Sequence, residues 1–347
     1  MTVRKHFHTV VRIVTSIRVM FVGTVRSISL VPRAVLTIPI LPCWSYFLHT
    51  MVQLMRAYIT LHVGEISVLR SVTDFPLVPT IPRAVSFKEE IFQGVVCEVI
   101  VPGRNSIPDI QTALNDGALG ICLYLHGGGF ALCNPKTHRP ITHLLAEKAN
   151  CVVVVPDYQR MPEYTLGDAL GECETVFQVL TKKFKTRVCL VGDSAGGALC
   201  VMLAARRRGV AVAAVSLISP WCDFDDEFEN LPENFGTQDY LSPHALRVMG
   251  EMVQTRAGEG AKSPVEIVQE GEYPEEVPTL VQVGSVETLY NQIIHFSKFV
   301  KGCEVREYTN MIHVPHFFSL MHCEARRAVQ DLCEFNKKHL DCEIVVD

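Results

Sequence analysis

The sequence predicts an α/β fold in which a mostly parallel sheet is covered by helices on both faces. Two observations carry this reading. From Val85 onward, apolar runs of strand length alternate with helix-length segments. Those runs are apolar throughout, as strands buried on both faces are, instead of alternating with polar residues. No internal repeat and no low-complexity tract breaks the rhythm. At 347 residues the chain can bury one large core with a smaller appendage.

The elements follow in order. Residues 1–82 stand apart from the rest as a basic, apolar N-terminal segment, and residues 83–347 form the main domain. Val85–Phe92 and Val95–Val101 read as a hairpin around Gln93-Gly94, followed by a loop from Pro102 to Asn115. Strands are expected at Gly120–Leu125, Cys151–Val155, Val188–Val191, Ala213–Ile218, Thr279–Val283 and Glu304–Tyr308. Helices are expected at Thr137–Ala149, Gly167–Phe184, Ala195–Arg208, Tyr290–Val300 and Glu324–Lys338. The Arg206-Arg207-Arg208 run ends its helix just before Gly209, where cations and a glycine cap both suit a helix C-terminus. An insertion at about 223–262 interrupts the alternation. It opens on the acidic run DFDDEFE, read as a solvated loop since no metal-ligand spacing is present, and continues into a helix at Pro243–Thr255.

Composition narrows the class. With 48% hydrophobic and 20% charged residues the chain is globular, and a net charge of -5 gives no reason to bind nucleic acid. Its 13 cysteines are scattered and never spaced C-x-x-C, which speaks against a disulfide framework or a zinc site. They read as small buried hydrophobes in a reducing compartment, so an intracellular location is expected, cytoplasmic or membrane-associated.

Residues 1–64 contain no Asp or Glu but carry Arg4, Lys5, Arg12, Arg18, Arg26, Arg33 and Arg56. Arg18 and Arg26 interrupt any secretory signal core. The uncharged run Ala34–Met55, 22 residues, is long enough to span a bilayer, but Pro39, Pro42, Ser45, His49, Thr50 and Gln53 make a clean span a poor reading. A segment lying on a membrane surface, an organellar transit peptide, and a part of the folded domain remain open.

Two glycine motifs carry the chemistry. Gly192-Asp-Ser-Ala-Gly196 matches G-x-S-x-G, follows a buried strand and opens an alanine-rich helix, the setting of a nucleophile elbow. Small residues at Gly192 and Gly196 allow a sharp turn, and the helix N-terminus places free N–H groups beside Ser194. His126-Gly127-Gly128-Gly129 ends the first inner strand and makes a loop whose amides can point at one spot, as an oxyanion requires. A phosphate-cradling loop would need a lysine or a G-x-G-x-x-G spacing that is missing here.

A serine hydroxyl needs a base, and in such enzymes the acid and then the histidine follow in the chain. Between Tyr240 and Gln330 there is no aspartate, so an acid from this region is a glutamate. Glu287 sits just past the carboxyl end of a strand. Glu275 and Glu276 precede that strand, while Glu304 and Glu307 fall on the next one. Two histidines follow, in Met311-Ile-His313-Val-Pro-His316. His313 comes first in the loop and is preferred, because His316 precedes an aromatic run that can pack as core. An H-x-x-H metal site would need the helical H-E-x-x-H arrangement. No metal or organic cofactor is expected.

Taken in order, HGGGF, PDYQRMPE, GDSAGG, SPWCD, ENFGTQDYLS, VPTLVQVGSVETLY and MIHVPHFF resemble the hormone-sensitive-lipase group of α/β-hydrolases, with arylacetamide-deacetylase-like esterases as near relatives. The resemblance covers about residues 85–335. It implies an eight-stranded sheet and a helical cap built from the N-terminal region and the insertion after the sixth strand. It also implies Ser194 as nucleophile, His313 as base and Glu287 as acid. The amides of Gly128, Gly129 and Ala195 would form the oxyanion hole, with His126 and Gly127 shaping the loop. Three departures stand out: Glu287 where the family commonly has Asp, Asn291 where an acidic residue is frequent, and a varied PDYQRMPE segment. The expected activity is hydrolysis of a small-molecule ester or lipid through an acyl-enzyme, with Trp221, Phe224 and Phe228 suggesting an apolar pocket. Amide deacetylation or deformylation by the same machinery is an alternative. So is a non-catalytic ligand receptor on the same scaffold, against which the retained serine and histidines argue.

Overall fold

The computed structural model describes residues 40–75, 84–103, 109–225, 237–256 and 262–340. Eight strands form one sheet: β1 (Val85–Phe92), β2 (Val95–Pro102), β3 (Ile121–Leu125), β4 (Val152–Pro156), β5 (Val188–Asp193), β6 (Val212–Ile218), β7 (Thr279–Gly284) and β8 (Glu304–Tyr308). Their spatial order is β1-β2-β4-β3-β5-β6-β7-β8. The β1–β2 hairpin pairs antiparallel, as does β2 with β4, and the other neighbours run parallel. The inner strands β3 to β7 are buried along their whole length, which is why they read as continuous apolar runs. The edge strand β8 carries exposed Glu304 and Glu307, and such charges discourage pairing with another chain.

Ten α-helices lie among the described residues: α1 (Tyr46–His62), α2 (Ile66–Thr73), α3 (Ile110–Asn115), α4 (Arg139–Ala149), α5 (Leu166–Phe184), α6 (Ala195–Arg206), α7 (Pro243–Arg256), α8 (Pro264–Gln269), α9 (Tyr290–Ser297) and α10 (Cys323–Leu340). Alternation along the strands separates two cores. Cys122, Tyr124, Val153 and Val191 face α4 and α10, packing on Ile141, Leu145, Val329 and Leu332. Ile121, Leu123, Leu125 and Val154 face the other way, onto Val176 and Phe177 of α5 and Leu199 and Leu203 of α6. Helix α5 begins with a reciprocal capping box between Thr165 and Asp168.

The expected strands appear within a residue or two, and so do the main helices except the one from Tyr290, which ends at Ser297, three residues before the expected Val300. Four short or N-terminal helices do not follow from the sequence pattern: α1, α2, α3, which occupies the expected loop before Asn115, and α8. The helix ending in arginines stops at Arg206, since Arg208 and Gly209 take left-handed conformations (φ 49° and 71°). Arg206 and Arg207 instead pair with Glu174 of α5 at 3.3 and 3.4 Å.

Within the run 34–55, residues from Ile40 are described, and they belong to the folded body. Ser45 caps α1, accepting from the Leu48 amide at 3.1 Å. Leu48 and Val52 are fully buried, packed with Tyr240, Tyr308, Met311 and Ile312. No helix among the described residues is long and apolar enough to cross a membrane. The basic residues from Arg4 to Arg33, the acidic residues of DFDDEFE beyond Asp225, and Phe228 lie outside the described residues.

If α1 is part of the cooperative unit, Leu48→Ala should destabilise the protein by about 2–5 kcal/mol, as for other fully buried leucines. Urea denaturation of the whole chain reads this as a lowered midpoint with an unchanged slope. An unmoved midpoint would show that α1 is not packed on the domain.

Candidate active site

The site forms along the carboxyl ends of five neighbouring strands. Register aligns Leu125 of β3 with Gly192 of β5, Asp193 of β5 with Ile218 of β6, and Gly284 of β7 with Tyr308 of β8. The loops leaving these ends therefore meet. Ser194 occupies the turn between β5 and α6 with φ 53° and ψ -122°, a conformation that costs a non-glycine residue roughly 1–3 kcal/mol. The surroundings hold it there: its N–H donates to Ile218 O at 2.9 Å, and its carbonyl accepts from Trp221 N at 3.0 Å. A side chain at Gly196 would run into the carbonyls of Leu125 and His126, so only glycine lets α6 sit this close to β3.

The loop His126–Gly129 leaves β3 beside this turn. Gly128 and Gly129 have φ 111° and 59°, which aims their amides where other residues could not. None of the amides of Gly128, Gly129 and Ala195 donates to another described group. Asp193 anchors the loop from below. Its Oδ1 accepts from Gly127 N at 3.0 Å and Tyr124 OH at 2.8 Å, while its Oδ2 lies 3.2 Å from His138 Nε2. Burial works against this charge, but His138 and the Tyr124 hydroxyl outweigh it and hold the carboxyl below its ordinary range. His126 stacks on Tyr158 at 4.2 Å, and burial pushes it down to about 3, so it stays neutral and shapes the loop. The Met249 side chain of α7 packs over Gly129.

Glu287 follows β7 and is completely buried. Its Oε2 accepts from Ser219 Oγ at 2.7 Å and from Gly284 N at 2.9 Å. Its Oε1 faces His313 Nδ1 at 3.8 Å, an ion-pair distance longer than a hydrogen bond. Neither atom has a hydrogen-bond partner among the described residues. Burial alone would lower the His313 pKa, but Glu287, then Asp239 and Asp193, overcome it and raise the imidazole above 6.5. Ser219, at the end of β6, also accepts from Val314 N at 3.0 Å, so one hydroxyl ties the loop after β7 to the loop after β8.

The structure separates the rival candidates. His316 is buried beneath β7, its Nε2 3.0 Å from Gln282 Oε1, and burial pushes it down to about 3. It is a core histidine. Glu275 pairs with Lys301 at 2.6 Å before β7 begins, and Glu276 is exposed beside it. Glu307 on β8 accepts from Tyr290 OH at 2.7 Å. Phe130, Trp221 and Phe224 pack together, with ring centroids 5.2 to 5.8 Å apart, next to the glycine loop. Among the described residues no group of three His, Cys, Asp or Glu is placed to hold a metal ion.

Sequence reasoning missed four supporting side chains: Asp193, His138, Ser219 and Asp239. Asp193 stood in view as the variable position of G-x-S-x-G. Asp239 lies one residue before the window searched for an acid, and its buried carboxyl accepts from Thr288 N at 2.8 Å and His313 N at 3.3 Å.

A parallel sheet with a strained serine after β5, a glycine loop after β3, and a carboxylate facing a histidine after β7 and β8 has the form of an α/β hydrolase. A family model described as alpha/beta hydrolase fold matches residues 122–318. The chain belongs to that family. It is similar to an acetyl-hydrolase of Streptomyces hygroscopicus, 30% identical over 67% of this chain and 80% of the relative. A carboxylesterase/phospholipase LipF of Mycobacterium tuberculosis is 29% identical over 70% of this chain and 72% of its own. Among solved structures, a hormone-sensitive lipase from a metagenome library superposes with a TM-score of 0.66 at 21% identity, covering 82% of this chain and 97% of that one. The shared fold is what that similarity shows.

Histidine NMR checks the electrostatics directly. His313 should titrate with a midpoint above 6.5, and His316 should stay neutral across the whole range in which the protein remains folded. A His316 resonance that titrates near its ordinary value would contradict its placement in the core.

Proposed function

We propose that this carboxylic ester hydrolase works through an acyl-enzyme on Ser194, with His313 as general base and Glu287 as its acid. One observation carries the reading: Glu287 Oε1 and His313 Nδ1, both buried, face each other with no other partner among the described residues. His313 accepts the Ser194 Oγ proton at Nε2 as Oγ attacks the ester carbonyl. The resulting oxyanion takes hydrogen bonds from the amides of Gly128, Gly129 and Ala195. The alkoxide leaves with the proton from His313. Water then attacks the acyl-enzyme, giving its proton to His313, and Ser194 recovers a proton as the acid departs. Glu287 holds the Nδ1–H tautomer and stabilises the imidazolium, which the raised His313 pKa supports.

A small-molecule ester or lipid is the substrate class. The names of the relatives, acetyl-hydrolase and carboxylesterase/phospholipase, support it, as does the aromatic cluster of Phe130, Trp221 and Phe224 beside the glycine loop. Amide hydrolysis by the same groups is the second reading, because an amide carbonyl fits the same donors and base. We also infer contact with an anionic membrane surface through residues 1–60. The absence of Asp and Glu there and the exposed rings of Tyr46 and Phe47 on α1 support it.

Ser194→Ala should lower kcat by a factor on the order of 10⁶ with the fold intact, and should abolish labelling by a fluorophosphonate. Labelling that persists removes Ser194 from the mechanism. For the acid, Glu287→Gln should lose on the order of 10⁴ in kcat, whereas Glu287→Asp should keep partial activity. Near-normal turnover by Glu287→Gln would replace the triad with a Ser–His dyad or an acid from elsewhere. A chain-length series of aryl esters beside an acetanilide should show ester turnover well above anilide turnover. The reverse order would favour the amidase reading.

A further inference from the structure

The segment 237–242 leads into α7 and contacts both loops proposed to carry the acid and the base. Asp239 within it is completely buried. Its Oδ2 accepts from Thr288 N, the residue after Glu287, at 2.8 Å, and its Oδ1 accepts from His313 N at 3.3 Å. Neighbouring contacts fix the segment. Arg56 of α1 donates to Asp239 O at 2.7 Å and to Leu241 O at 3.2 Å. Thr60 bonds Ser242 Oγ at 2.9 Å, and Thr288 Oγ1 donates to Leu241 O at 2.6 Å. The Tyr240 ring meets the His313 ring edge-on at 5.8 Å.

A second carboxylate so placed has two consequences. Geometrically, one rigid group spans the two loops, so the Glu287–His313 distance depends on it. Electrostatically, its charge adds to that of Glu287 at the imidazole. We propose that Asp239 is a positioning residue for the base, joining the acid loop to the base loop through its two oxygens and supplying a second negative charge that favours the imidazolium. This rests on His313 being the base. The charged and titratable groups around His313 are Glu287 on the acid loop, Asp239 and Tyr240 on the segment 237–242, and Asp193 on the elbow, with Arg56 of α1 beside Asp239. Burial, opposed by His313 and the Thr288 amide, raises the Asp239 carboxyl to about 6. It is therefore mostly ionised at neutral pH and loses its charge as the pH falls through 6.

The test compares pH profiles of kcat/KM for an aryl ester between pH 5 and 8 in wild type and Asp239→Asn, with His313→Ala as a reference. Asp239→Asn keeps the shape but loses the charge and one acceptor. Its kcat should fall by about tenfold to a hundredfold at unchanged KM, and its acid limb should move to lower pH by about one unit, because one fewer anion favours the imidazolium. A role confined to structure would lower the melting temperature and leave the limb where it is. A folded Asp239→Asn with an unmoved limb overturns the proposal while leaving the mechanism standing. Turnover by His313→Ala would instead overturn the mechanism on which the proposal rests. Should Asp239→Asn fail to fold, Asp239→Glu decides, since it keeps the charge while lengthening the reach: a lowered kcat with the limb held at the wild-type pH supports the proposal, and a full kcat or a limb displaced to lower pH overturns it.

Discussion

The site depends on one steric fact: at Gly196 the backbone of α6 lies against the carbonyl end of β3, with no room for a side chain. That contact fixes where the helix begins, and the chain between β5 and α6 must then turn within Ser194. Its left-handed conformation follows from this crowding and is held by backbone bonds to Ile218 and Trp221 at the end of β6. The same close approach leaves the first amide of α6 beside the serine. It also brings the glycine loop of β3 alongside the turn. The proposed nucleophile and the amides proposed to bind the oxyanion thus come from one packing constraint.

Buried carboxylates organise the remainder. Asp193 sits under the glycine loop with His138, Tyr124 and the Gly127 amide, so both its oxygens have partners. Glu287 spends one oxygen on Ser219 and Gly284 and keeps the other for His313. Asp239 spends both on backbone amides of the two loops. Removing a partner from any of these leaves a buried charge uncompensated, which is costlier than losing an exposed pair. The hydrogen-bonded network extends outward through Arg56 and Thr60 to α1. The N-terminal helix supports the base loop at a distance, which gives residues 46–62 a role besides any contact with a membrane.

What the sequence made legible divides along physical lines. Strands buried on both faces announce themselves as apolar runs, so β3 to β7 were readable, and the glycines of the elbow and loop mark turns that other residues cannot make. Glu287 stood out as the candidate acid because its place after a strand and the lack of aspartate downstream left few alternatives. His313 and His316 were separable only in part, since both follow β8 and only packing against Gln282 shows that the second is core. Asp239, Ser219 and His138 were not readable as site residues. Their partners lie tens of residues away in the chain, and no local pattern records such a contact. Helices α1 and α2 escaped because their composition, basic and apolar without acidic residues, suits a membrane segment as well as a packed helix.

The central claim, that esters pass through a covalent intermediate on Ser194, is tested most directly by rapid acid quench during the first turnover of an aryl ester, followed by mass spectrometry of the digested protein. The account predicts a transient acyl group on the peptide containing Ser194, absent once substrate is exhausted and absent from His313→Ala. An acyl group on any other residue, or full turnover with no acylated peptide at any quench time, would contradict it.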